Sequence, residues 1–176
     1  MSVAILGGPR LGAHEGYHPV GDGWGYIRRI WRNTSDYSSA SDWAPIVHAA
    51  LVGIRDTCSQ AGWDGEDAVA ISDHVIEVVA QIAACLFTML PRGTPAPDVI
   101  PESDGDICLS WMVDSDRVFS LSIGAQGKMN FAGRFGREGA LHAWQTINRY
   151  SLEDSLQDIA RYIERLYPAA ALRRAA

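Results

Sequence analysis

The chain has 176 residues, of which 47% are hydrophobic and 20% charged, and its formal net charge is −6. These values are ordinary for a single soluble globular domain with a sizeable core. No apolar run reaches the roughly 18–20 residues that a membrane helix needs, and the N-terminus lacks the pattern of a signal peptide. We therefore expect a cytoplasmic protein that makes no membrane contact.

Residues 1–41 predict an irregular N-terminal arm, because glycines and prolines interrupt its short apolar runs. The arm is rich in aromatic residues, with a short strand predicted over 27–31. Its aromatic and basic residues could anchor it on the rest of the chain or contact a partner. The residues of the arm that we expect at a partner interface are Trp24, Arg28, Arg29 and Trp31.

Residues 42–168 predict one α+β domain, followed by a frayed tail over 169–176. Three of its stretches carry apolar residues at helical spacing. The predicted helices span about Pro45–Ser59, Asp73–Leu90 and Leu152–Tyr167. Ser72 can cap the second helix, and the proline-rich residues 91–101 that follow it predict an extended linker.

Hydrophobicity then alternates with period 2 in three successive runs between residues 107 and 131, and turn residues separate the runs. This pattern predicts an antiparallel meander of three strands, with His142–Ile147 as a candidate fourth strand. Two or three helices would pack on its apolar face. The reverse face carries small polar side chains, notably Ser110, Ser120 and Ser122.

The charge is distributed unevenly along the chain. Between Ser59 and Asp116 there are eleven acidic residues and one basic residue, Arg92, so this stretch has a net charge of 1 − 11 = −10. Such a segment suits a basic partner; the alternative explanation is that these are solvated turn acids, which are the usual choice in turns and blunt sheet edges. The acidic residues that we expect at a partner interface are Asp64, Glu66, Asp67, Asp104, Asp106, Asp114 and Asp116.

No familiar catalytic or cofactor-binding motif occurs in the chain. It lacks CxxC, HExxH, GxSxG and Walker patterns, and its three cysteines lie on apolar segments as expected for buried free thiols. We therefore predict no cofactor, no metal site and no catalytic residue. The alternative is a small enzyme, possibly metal-dependent, that joins the acidic group at 64–67 to His74 or His142.

Several short motifs resemble a group of small uncharacterised bacterial proteins. These are Gly62-Trp63-Asp64-Gly65, Asp104-Gly105-Asp106-Ile107-Cys108-Leu109-Ser110-Trp111 and Ser120-Leu121-Ser122-Ile123. The group shares a Trp-Asp-Gly start and an Asp-Gly-x-Ile-x-Leu-x-Trp strand, and the resemblance covers about residues 62–166. It implies a shared fold and no particular activity.

The sequence as a whole favours a non-catalytic bacterial or phage interaction protein of an antitoxin-like, defence-related or inhibitory kind. Its expected partner is a protein or nucleoprotein with a basic surface, bound through the acidic segment, the arm or both. Direct nucleic-acid binding is disfavoured, because the domain has no basic patch with interleaved aromatic residues. A homodimer formed through an open sheet edge or the arm is a further possibility.

Overall fold

The computed structural model describes residues 43–125, 128–136, 139–146 and 152–167. The predicted arm, with Trp24, Arg28, Arg29 and Trp31, lies outside the described residues. Within them the chain forms three helices, which are α1 (Trp43–Cys58), α2 (Asp73–Met89) and α3 (Leu152–Leu166). No helix in these ranges is long and apolar enough to cross a membrane.

The predicted α+β fold with an antiparallel meander is confirmed. Five strands lie side by side in chain order, and each pairs antiparallel with the next. They are β1 (Asp98–Pro101), β2 (Ile107–Asp114), β3 (Arg117–Ile123), β4 (Lys128–Phe135) and β5 (Ala140–Thr146).

Strand β1 lies in the stretch that was predicted as an extended linker, and it adds an edge to the sheet. Asp98 pairs with Ser110 and Pro101 pairs with Ile107. Proline is tolerated here because an edge strand leaves every second N–H without a partner in the sheet. The linker residues before β1 also accept hydrogen bonds from two tryptophans of the core. The indole N–H of Trp43 donates to the Thr94 carbonyl at 2.7 Å, and that of Trp111 donates to the Pro95 carbonyl at 3.2 Å.

One face of the sheet forms the core with the helices. The alternating apolar residues of β2, β3 and β4 are buried on this face together with the apolar stripes of all three helices. Phe119 lies at its centre, with ring centroids 6.3 Å from Trp111, 6.2 Å from Phe131 and 6.0 Å from Tyr162. Burial of large aromatic groups is the main source of stability in such a layer.

The opposite face of the sheet is open among the described elements, and Met112, Ala132 and Arg134 are exposed there. The strand register places Cys108, Ser122 and Asn130 in one cross-strand row, and Ser110, Ser120 and Ala132 in the next. The predicted serine-rich face is therefore present. Its serines are half-buried, and the hydroxyls of Ser110 and Ser120 lie 3.3 Å apart.

Successive turns of the meander lie at opposite ends of its strands. The sheet therefore has two ends, and each carries a different set of turns. Strand β2 has eight residues, so its first and last residues lie about 23 Å apart at roughly 3.3 Å per residue. The turn over 102–106 lies at the same end as the start of α2 and the end of α1, because backbone hydrogen bonds join Val69 to Ser103 and Ile71 to Cys58. The turn over 115–116 lies at the other end.

Candidate partner-binding surface

Two acidic segments, 59–71 and 102–106, meet at one end of the molecule. The amide of Val69 donates to the carbonyl of Ser103 at 2.7 Å, which fixes the loop before α2 against the β1–β2 turn. The two segments contain six acids and no basic residue. We call the surface that these acids form the acidic end. Its acids are Asp64, Glu66, Asp67, Glu102, Asp104 and Asp106.

The first segment is shaped by its own polar groups. Asp64 Oδ1 accepts hydrogen bonds from the amides of Glu66 at 2.9 Å and Ala68 at 3.4 Å. The indole of Trp63 donates to the carbonyl of Val69 at 3.0 Å, and this closes the loop. Aspartate is favoured in such turns because its carboxylate replaces a backbone acceptor. All three acids of this loop are exposed.

The second segment is a tight turn with the same chemistry. Asp104 Oδ1 accepts from the amide of Asp106 at 3.2 Å, and the amide of Gly105 donates to the carbonyl of Glu102 at 3.1 Å. Gly105 has φ +89°, a backbone conformation that side chains with a Cβ rarely adopt. A Cβ at this position would also lie 3.1 Å from Cγ1 of Val69. Glycine therefore allows the two acidic segments to approach each other.

The carboxylates of Glu102, Asp104 and Asp106 lie close together, with one oxygen of each within 4.8 Å of the others. Partial burial raises the pKa of Asp106, and the charges of Asp104 and Glu102 raise it further against the opposing effects of Lys128 and a hydrogen bond with Ser122. Asp106 also lies against the backbone of Gly124, where a Cβ would come within 2.5 Å of its Oδ1.

Three carboxylates in this arrangement supply the oxygen ligands that a hard cation such as Ca²⁺ or Mg²⁺ prefers. Glu102 has a competing contact, because its Oε2 accepts a hydrogen bond from the Ser122 hydroxyl at 2.5 Å. This bond ties the turn to β3 and orients the carboxylate of Glu102. The trio therefore resembles a preorganised negative patch, able to pair with any cationic group that reaches it.

The predicted acids Asp114 and Asp116 lie at the opposite end of β2 and are paired with arginines. Arg117 Nη2 lies 2.7 Å from Asp114 Oδ2, and Arg134 Nη1 lies 3.3 Å from Asp116 Oδ1. The hydrogen bond from Arg117 lowers the pKa of Asp114. Within the described ranges none of the six acids of the acidic end makes an ion pair. The structure thus separates the predicted acids into an unneutralised group and a neutralised pair.

The structure describes the residues of the enzyme alternative only in part. His74 is exposed in the first turn of α2, and Oδ1 of Asp64 already accepts two amides of its own loop. The side chain of His142 lies outside the described part of the chain. The prediction that joins these groups in a catalytic site therefore gains no geometric support from the residues that are described.

The three cysteines are buried free thiols, as predicted. Burial raises the pKa of Cys85 and of Cys108 to about 11, so both stay protonated at neutral pH. A protonated thiol is a poor nucleophile. Cys108 lies in the same cross-strand row as Ser122, and the charge of Glu102 further disfavours its thiolate.

Sequence reasoning did not single out Glu102, Ser122 or Val69 as parts of this surface. Glu102 was visible in the count of acids, and its position two residues before an Asp-Gly-Asp turn was the available signal. Contacts such as the one between Val69 and Ser103 join residues far apart in the sequence, and no local pattern announces them.

Comparison with known proteins identified no relative. Neither a protein-family model, nor a curated protein, nor a solved structure matches this chain. The resemblance to small bacterial proteins remains a prediction and assigns no role to any residue.

Proposed function

We propose that this protein is a non-catalytic interaction protein that binds a basic surface of a protein or nucleoprotein partner through its acidic end. The observation that carries the proposal is the union of two base-free acidic segments by the hydrogen bond from Val69 to Ser103. An antitoxin-like, defence-related or inhibitory role in a bacterium or phage fits this chemistry.

The contrast between the two ends of β2 supports the choice of surface. Asp114 and Asp116 form ion pairs with arginines of the same sheet, whereas Asp104 and Asp106 make no ion pair among the described residues and the charge of Lys128 only partly offsets those around Asp106. Clustered like charges repel each other and cost stability unless a ligand or partner neutralises them. Complementary charge from a partner would remove this repulsion and would also accelerate encounter.

The geometry favours a cationic side chain from a macromolecule as the neutralising group. The six acids are distributed over two adjacent turns, and an arginine- or lysine-rich segment could contact several of them at once. Arginine matches carboxylates well because its planar guanidinium can bind both oxygens. Val69, which is 53% exposed between the two turns, offers an apolar contact at the centre of the same surface.

A pair of matched double variants tests the proposal. Asp104→Asn/Asp106→Asn removes two charges from the acidic end, and Asp114→Asn/Asp116→Asn removes two from the arginine-paired end. Asparagine retains the Oδ1 acceptor that Asp104 and Asp114 use within their turns. Each tagged full-length variant is used to capture partners from an extract of the native cell, and captured proteins are quantified by mass spectrometry at low and high salt.

We expect a basic protein that the wild-type chain and the Asp114/Asp116 variant capture equally and the Asp104/Asp106 variant loses. Raising the ionic strength should reduce capture, since salt screens exposed charges beyond about 8–10 Å. Equal capture by both variants, or capture that is insensitive to salt, would remove the basis of the proposal. Circular dichroism of both variants controls for folding.

The small metal-dependent enzyme remains the second candidate, and the Glu102–Asp104–Asp106 trio is the observation that favours cation binding. Thermal unfolding with Mg²⁺, Ca²⁺ or Mn²⁺ distinguishes a cation-binding enzyme from a protein that binds a basic partner. A ligand that binds the native state raises its melting temperature by mass action. A rise seen in the wild type and absent from the Asp104/Asp106 variant would favour the cation over the basic partner.

A further inference from the structure

Strand β5 forms an edge of the sheet with features that differ from those of the other edge. Among the described elements no strand pairs with the outer side of β5. The strand has seven residues, Ala-Leu-His-Ala-Trp-Gln-Thr, without a charge or a proline. Long, neutral edge strands of this kind are templates for pairing with another chain.

The opposite edge, β1, carries the devices that block such pairing. It has only four residues, begins with the exposed Asp98 and ends with Pro101, and α1 packs beside it. Short length, charge and proline are the usual means by which edge strands avoid association. Within the part of the chain that the structure describes, the sheet is thus protected at the β1 edge and unprotected at the β5 edge.

The hydrogen-bond register identifies the backbone groups that β5 offers. The amide of Phe135 donates to the carbonyl of Gly139 at 3.1 Å, so this is a hydrogen-bonded pair at the start of the β4–β5 ladder. Bonded and non-bonded pairs alternate along an antiparallel ladder. Residues 141, 143 and 145 therefore bond to β4, and the backbone groups of 140, 142, 144 and 146 point away from the sheet.

We propose that two copies of this chain pair through their β5 strands, antiparallel about a two-fold axis at Ala143, to form one continuous ten-stranded sheet. In this register residue 142 faces 144 of the second copy and 140 faces 146, so all seven residues pair. The four hydrogen-bonded pairs would supply roughly eight intermolecular backbone bonds. The strand is neutral, so no like charges oppose each other in the ladder although each chain carries a net charge of −6.

The proposal concerns a surface other than the acidic end and does not depend on the proposed function. Two single cysteine variants of the full-length chain test its register. Across the axis, Ala143 of one copy lies opposite Ala143 of the other in a non-bonded pair, where Cα atoms are about 4.5 Å apart and a disulfide can form. Residue 142 has no such self-contact. The native cysteines are buried, which limits background reaction.

Under mild oxidation with diamide we expect Ala143→Cys to form the disulfide-linked dimer at least about tenfold faster than His142→Cys at equal concentration. Light scattering of the wild type should show a dimer that dissociates on dilution. If the wild type is a monomer at every concentration, the proposal is wrong. This holds both if the N-terminal arm covers the outer side of β5 and if nothing does. Equal cross-linking of both variants would overturn the register.

A backbone variant keeps the test decisive if the cysteine variants fold poorly. His142→Pro removes one outward N–H and leaves the β4 ladder intact, whereas His142→Ala keeps that N–H. Two lost bonds per dimer, at about 1 kcal/mol each, correspond to a roughly 30-fold weaker dimer for the proline variant. Unchanged association of His142→Pro would contradict pairing through this edge.

Discussion

The contact between Gly105 and Val69 joins the two halves of the acidic end, and the substitution Gly105→Ala measures it. The positive φ of Gly105 costs an alanine about 1–2 kcal/mol of unfolding free energy. The added Cβ would lie 3.1 Å from Val69 Cγ1, and relieving that crowding costs about 1 kcal/mol more, near the low end for overpacking because Val69 is partly exposed. We expect a total loss of about 2–3 kcal/mol in urea unfolding.

Gly93→Ala is the matched control, because Gly93 has a similar φ of +86° and an added Cβ there meets nothing within 4 Å. It should lose only the backbone contribution of about 1–2 kcal/mol. In a Val69→Ala background Gly105→Ala should cost only the value of the control, since the crowding methyl group is gone. Equal losses for Gly105→Ala and Gly93→Ala, or no rescue by Val69→Ala, would refute the close approach of the two segments.

Two further substitutions test the electrostatics and the core. Because the folded-state pKa of Asp106 is raised, its charged form costs stability above that pKa, and stability recovers as pH falls through it. Asp106→Asn should therefore stabilise the protein at neutral pH, with a gain that shrinks towards acid pH; a gain constant across pH in thermal unfolding would contradict this cause. Phe119→Ala should cost about 3–5 kcal/mol in urea unfolding, because the ring is fully buried among three aromatic neighbours, and a loss below about 1 kcal/mol would place the core elsewhere.

Local sequence patterns predicted most of the fold. The predicted helices begin and end within two residues of those observed, because capping and apolar spacing are local properties. The strands of the meander follow from period-2 alternation for the same reason. Strand β1 was not predicted, because Pro95, Pro97 and Pro101 are typical of a linker. Only the pairing with β2 shows that an edge strand begins after Pro97 and includes Pro101.

The candidate site was predictable in composition and not in arrangement. Counting charges located the acidic segment, and a meander necessarily places the turns before and after β2 at opposite ends. The count could not show which acids are neutralised, because Arg134 reaches Asp116 only through the register of β3 with β4. It also could not show that the loop over 59–71 joins the turn over 102–106, since a single long-range hydrogen bond makes that contact.

Among the described residues, ion pairs with arginines balance the turn acids at one end of β2 and not at the other. Arg117 and Arg134 on adjacent strands balance Asp114 and Asp116, whereas at the acidic end the strand positions nearest Asp106 hold Ser122 and Lys128, and its pKa stays raised. Local choices that oppose stability are expected where a surface serves binding. A basic partner would lower the pKa of Asp106 and remove the repulsion, so association should release protons and weaken as the pH falls through the raised pKa of the free protein.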